Sequence, residues 1–263
     1  MVNIVPISAD LHTGKAWRRP TSFDFAATQA VLPVVAAEFA KVAVSIPIAF
    51  IEQAGLRLPV AVMSPVSGCN LFIGPAGQWL GTYVPAALRS YPFRLGRLPG
   101  AEQVHLCIDE DSGLVAEADG VAVEFIDAEG NPTPATKAIL EFLVTMERSR
   151  TVTEIGVAAL FEAGLIQPWQ FEVTIDGRTV PAAGLFRVDA AALEALDDAT
   201  FLKLRRAGAL VLAYLQLVSM NQITELERLN QTRQQLLQAQ QQQQMPSVDE
   251  FFAKAKNETL QFH

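Results

Sequence analysis

The sequence predicts an α+β fold: a mainly antiparallel sheet with late helices packed on it and a long, largely buried C-terminal helix. Three observations predict it. Short apolar runs bounded by Gly, Pro or Asn crowd the first half, and apolar residues at helical spacing fill the second. The 14-residue stretch AGALVLAYLQLVSM, residues 207–220, is apolar enough for a core helix yet shorter than the roughly 20 residues a membrane span needs, so the chain is not read as transmembrane.

Composition narrows the classes of function. Half of the 263 residues are hydrophobic and 18% are charged, which suits a chain with a substantial core. Twenty Lys and Arg against 28 Asp and Glu give a net charge of −8, which repels phosphate backbones and anionic lipid. No nucleic-acid partner is expected. Cys69 and Cys107 are the only cysteines, too few for a disulfide framework. The opening MVNIVPISAD lacks the basic and apolar regions of a secretory signal, so a cytoplasmic chain is expected. Arg18 and Arg19 ahead of FAATQAVLPVVAAEFA imitate a twin-arginine export signal, but Pro20, Asp24, Gln29 and Glu38 spoil the pattern.

The elements follow in order. After a polar N-terminal arm, Pro33 to Val44 has the spacing of a short helix. IPIAFI (46–51), LPVAVM (58–63) and NLFI (70–73) read as strands, and the GPAG turn at 74–77 predicts that NLFI pairs with QWLGTYV. PAALRSY (85–91) makes a brief helix. EQVHLCID and VAVEFID read as strands, and DEDSGLVAEADG (109–120) between them as a solvated loop. Thr133 followed by Pro134 predicts a capped helix start, with Gly164 as its stop. WQFEVTIDG (169–177) and GLFRVD (184–189) are expected to pair as a hairpin, and AAALEAL to follow as a short helix. One long helix is predicted from about Asp198 to beyond Leu229, surrounded by the other elements because it is apolar all round. The glutamine-rich run QQLLQAQQQQQ after it buries little, so nothing is expected to pin it. Phe251 and Phe252 in the tail are the kind of anchors that dock into a groove or onto their own domain, and the tail is a candidate for association with a partner.

Catalytic sets are sparse. His12, His105 and His263 are too dispersed for a metal centre, and no metal or other cofactor is expected. His105 and Cys107 stand two apart on a strand and so project in parallel, which suits ordinary strand residues better than a nucleophile with its base. No GxSxG elbow, GxxxxGK[ST] loop or GxGxxG turn is present. YVPAALRSYPFRLGR (83–97) is the passage that stands out. It interleaves Arg89, Arg94 and Arg97 with Tyr83, Tyr91 and Phe93, and Trp79 lies just upstream. Planar cations beside aromatic faces suit recognition of a carboxylate or a peptide, and the same residues also stack within their own fold in many proteins. The candidate binding residues are Trp79, Arg89, Tyr91, Phe93 and Arg94.

GCNLFIGPAGQWLGTYVPAALRSYPFRL resembles the central signature of the SapC family of bacterial proteins. IPIAFI with LPVAVMSP resembles the family's opening block. GLFRVDAAALEALDDATFLKLRRAGALVLAYLQLVSMNQITELERL resembles its C-terminal block. The likeness spans roughly residues 30–230, leaving an arm of residues 1–29 and a glutamine-rich helical or disordered tail of residues 231–263 outside it. The resemblance implies a link to surface-layer protein transport in Gram-negative bacteria, and an accessory role beside a partner enzyme or an outer-membrane receptor. It brings no catalytic residues. Two functions therefore stand: a non-catalytic accessory protein that holds a protein or peptide partner, or an enzyme or small-ligand protein whose Arg89, Tyr91 and Arg94 hold an acidic substrate. A structural surface-layer component is the third class.

Overall fold

A computed structural model describes residues 3–97 and 104–244. Phe251 and Phe252 lie outside the described residues. The centre of the larger core is a hairpin, Ile48–Gln53 with Leu56–Val62, in antiparallel register from Ile48 opposite Ala61 to Gln53 opposite Leu56. Ala54 and Gly55 close it with φ of 51° and 76°, the paired positive values of a two-residue turn that follows the twist of the strands. Val31–Pro33 flanks it on one side, and Phe186–Val188 with Ile166–Pro168 on the other, giving five antiparallel strands.

A second core is built around Trp17, Phe93, Leu106, Ile108, Phe125 and Ile126. Its strands are Ile4–Pro6, Val104–Asp109 and Phe93–Arg97 in one sheet, and Val115–Glu117, Lys15–Trp17 and Val123–Glu124 in another. The N-terminal residues thus contribute two strands and the buried indole of Trp17. Part of DEDSGLVAEADG, read as a loop, forms the strand Val115–Glu117.

The helix Pro134–Glu162 ties the two cores together. It starts where the sequence places it, with Thr133 accepting from the Thr136 N–H and Pro134 in the first turn. At 29 residues it is about 43 Å long, at ~1.5 Å per residue. Ile139, Leu140 and Leu143 pack on the second core, while Val157 and Leu160 are buried in the first.

Further expectations change. NLFI and QWLGTYV meet at the single bridge Ile73–Trp79, because the Asn70 carboxamide takes the Phe72 N–H and donates to Ala26 O, holding this stretch as turns. Glu172–Ile175 pairs with Arg178–Pro181 rather than with 184–189. The cause is local: Asp176 and Gly177, φ 52° and 72°, close a two-residue turn between them. The long helix does not begin at Asp198. Asp198–Arg206 is separate and meets Ala209–Gln242 at 91°, with Gly208 at φ +70° in the corner. The long helix buries Ala209, Leu210, Leu212, Ala213, Leu226 and Leu229, but Val211, Tyr214 and Val218 face solvent.

The start of the glutamine-rich run is held as well. Gln234 donates to Asp176 Oδ1 at 2.5 Å, and Glu227 Oε1 accepts from the Thr174 N–H at 3.0 Å, so the small hairpin clasps the C-terminal helix. Among the described residues no single helix is long and apolar enough to cross a membrane.

Candidate functional site

The segment 83–97 runs along the junction of the two cores. Tyr83 and Val84 pack on the larger one, and Phe93 is buried in the smaller, edge-on to Trp17 at 4.9 Å. Between them lies the short helix Ala86–Arg89. Facing it is a residue the sequence reading passed over. Glu38 is 3% exposed and ends the turn Ala36–Glu38. That turn is pinned to the long helix, since Ala36 N–H donates to Thr153 Oγ1 at 2.7 Å and Ala37 N–H to Ser149 Oγ at 2.9 Å.

Glu38 Oε2 accepts from the Tyr83 hydroxyl and from the Ala86 N–H, each at 2.8 Å. Arg89 Nη2 lies 4.0 Å from the same oxygen and donates to Tyr83 Oη at 3.1 Å. The guanidinium also sits 5.0 Å from the centre of the Phe142 ring. Burial pushes the Glu38 carboxyl above the usual carboxylate range, against the pull of its donors and of Arg89. Burial first, and the neighbouring Glu38 second, push the Tyr83 phenol up to about 12. Glu38 Oε1 is buried and has no hydrogen-bond partner among the described residues.

The five candidate residues take different places. Trp79 Nε1 donates to Tyr83 O at 3.1 Å and its ring stacks on Phe72, so it braces the start of the segment. Tyr91 lies flat on Phe25, ring centres 3.9 Å apart. Phe93 is part of the second core. Arg89 is turned toward Glu38 and Tyr83, whereas Arg94 is exposed and makes no ion pair among the described residues. Three clefts open around this segment, and Ser90 and Phe93 line all of them. One of about 590 Å³ holds Arg89 and Tyr91, one of about 350 Å³ holds Tyr91 and Arg94, and one of about 280 Å³ holds Arg94 and Glu38. Arg89 and Arg94 share none of the three. Elsewhere, Cys107 is buried and its thiol is pushed up by that burial, with the half-buried His105 beside it on the strand.

Glu38 gave one signal in the sequence: it is an isolated acid within the apolar run PVVAAEFA. Its partners, 45 and more residues away, left no local trace.

A model of the SapC family matches residues 7–226. The chain belongs to that family. The match takes in most of both cores, the N-terminal strand Lys15–Trp17, Glu38 and the whole of the segment 83–97 in this SapC chain. No curated protein and no solved structure matches it.

Proposed function

We propose that this SapC-family chain is a non-catalytic accessory protein that holds a protein or peptide partner along the segment 83–97. Arg89, Tyr91 and Arg94 form the contact surface, Phe93 anchors it in the second core, and Trp79 supports it from behind. One observation carries the reading: three open clefts lie side by side around Ser90 and Phe93, spreading the cations and aromatic faces along a surface. The acidic-substrate reading needs Arg89, Tyr91 and Arg94 to converge on one pocket, but Arg89 faces Glu38 and Arg94 opens into other clefts. The raised thiol of Cys107 also suits a bystander better than a nucleophile. The partner belongs to a cytoplasmic system linked to surface-layer protein transport, or to an enzyme or outer-membrane receptor that the chain assists.

The test is co-purification of the tagged full chain from a native lysate, compared with Arg94→Ala, Tyr91→Ala and a chain ending at residue 230. The wild-type chain is expected to enrich a partner that Arg94→Ala and Tyr91→Ala lose. Equal recovery by all baits would overturn the proposal.

A further inference from the structure

We infer that the cleft between the Ala36–Glu38 turn, Ser90–Leu95 and the middle of the helix Pro134–Glu162 takes a lysine side chain of a peptide, whose ammonium group donates to Glu38 Oε1. This rests on the partner-binding reading above and names the chemistry of that partner. The cleft measures about 280 Å³, and Glu38 lines it while lining neither of the other two. Its walls beside Glu38 are apolar, with Pro33, Val35, Leu143 and Met146, and so suit the methylene stem of lysine.

The donor count selects the head group. Oε2 is already supplied by the Tyr83 hydroxyl and the Ala86 N–H, with Arg89 close by. Oε1 is buried without a donor, an arrangement that is costly for a carboxylate unless a ligand completes it. One open oxygen suits a point donor such as an ammonium group, whereas a guanidinium fork needs two acceptors side by side. The cations at the rim do not oppose this. Arg150 is held by Glu147 through bonds of 2.9 Å and 2.6 Å and is paired with Glu154 as well. Arg94 has no ion pair among the described residues and is placed to donate to a carbonyl of the same peptide.

The probe is Nα-acetyl-lysine N-methylamide, titrated into the full chain by calorimetry, with the norleucine analogue as the control that keeps the stem and loses the charge. The lysine probe is expected to bind at least about tenfold more tightly than the norleucine probe, the size expected for a hydrogen bond to a buried charge. Glu38→Gln should abolish that preference, and Met146→Trp, which fills the cleft and leaves Glu38 in place, should abolish binding of both probes. Equal binding of the two probes to the wild-type chain would overturn the inference. So would a lysine preference that survives Met146→Trp, which also decides the matter if Glu38→Gln fails to fold. A chain that captures its partner in an Arg94-dependent way but shows no lysine preference refutes this site alone. A lysine preference without any captured partner refutes the accessory reading instead.

Discussion

Tyr83 donates its hydroxyl proton to Glu38 Oε2 at 2.8 Å, and this bond couples a buried acid to the passage that carries the arginines and aromatic rings. Arg89 in turn donates to Tyr83 Oη at 3.1 Å, so phenol, carboxylate and guanidinium form one chain of donors and acceptors. Tyr83→Phe removes its middle member while keeping the ring. It should cost about 1–3 kcal/mol in chemical denaturation, the range for losing a bond to a charged, buried acceptor. It should also remove the phenol that titrates at about 12 from the tyrosinate absorbance curve. A high-pH step that persists in Tyr83→Phe would show that the step belongs to another of the three tyrosines.

Glu38 makes stability depend on pH in a direction opposite to that of a salt-bridged carboxylate. Its folded pKa lies above the ordinary 4.5, so within that window the native chain holds a proton that the unfolded chain has released. More protons bound to the native state means that stability falls as pH rises. Its contribution is fully present below about 4.5 and is lost as pH climbs through the raised value. Urea midpoints collected from pH 4 to 8 for wild type and Glu38→Gln should give a difference that moves steadily in favour of the Gln variant across this window. A flat difference would mean that Glu38 is ionised at its ordinary pKa in the native protein.

What was legible in the sequence was local. Thr133 and Pro134 mark a helix start because the cap and the proline act within one turn. The choice of strand partner was less legible. Asp176–Gly177 settles the pairing of Glu172–Ile175, yet the alternating pattern of 169–177 and 184–189 invites a longer hairpin. Within the apolar stretch 207–218, hydropathy counts Val211 and Leu212 alike, although one is exposed and the other buried. Most of the passage around Arg89 and Arg94 could be found by composition. Glu38 could not be assigned a role, because its role arises only when the turn that carries it meets Tyr83 and Ala86.

Gln216 fills a seam that the strands leave open. Phe186–Val188 bonds to Ile48–Gln53 only at Phe186 opposite Phe50. Beyond that point the fully buried Gln216 accepts from the Val188 N–H at 2.9 Å and donates to Ile48 O at 3.0 Å, standing in for the missing ladder. Gln216→Leu orphans both backbone groups and should cost about 2–6 kcal/mol, from ~1–3 for each unsatisfied group. Hydrogen exchange at the Val188 amide should accelerate by more than exchange in the hairpin of Ile48–Gln53 with Leu56–Val62 does. Equal acceleration at both would indicate global loosening instead of a broken seam.

Gly208 sets the angle between the two late helices. Its φ of +70° lies in the left-handed region, and a Cβ there would meet no atom within 4 Å, so any penalty comes from the backbone alone. Gly208→Ala should therefore destabilise by about 1–2 kcal/mol, and Gly208→Asn by less, because Asn tolerates this conformation better. Thermal unfolding of the three chains should rank Gly, Asn, Ala. If Ala equals Gly, the corner opens without strain and the 91° crossing is not held by this residue.

His12 supplies the acid-side counterpart of Glu38. It is fully buried against Phe125, and burial together with the nearby Lys15 lowers its pKa below 6.5, while Glu110 at 3.8 Å pulls the other way. The native chain then carries fewer protons on His12 than the unfolded chain does. Stability from this residue is present above about 6.5 and is lost as pH falls toward the lowered value. Where both groups titrate they push in opposite directions, and a wild-type stability curve alone would hide both. Measured separately, His12→Leu should flatten the acid-side fall while Glu38→Gln flattens the decline toward neutral pH. The double variant should lose both slopes additively, since the two side chains share no partner among the described residues. A slope that His12→Leu leaves unchanged would place the acid sensitivity elsewhere in the second core.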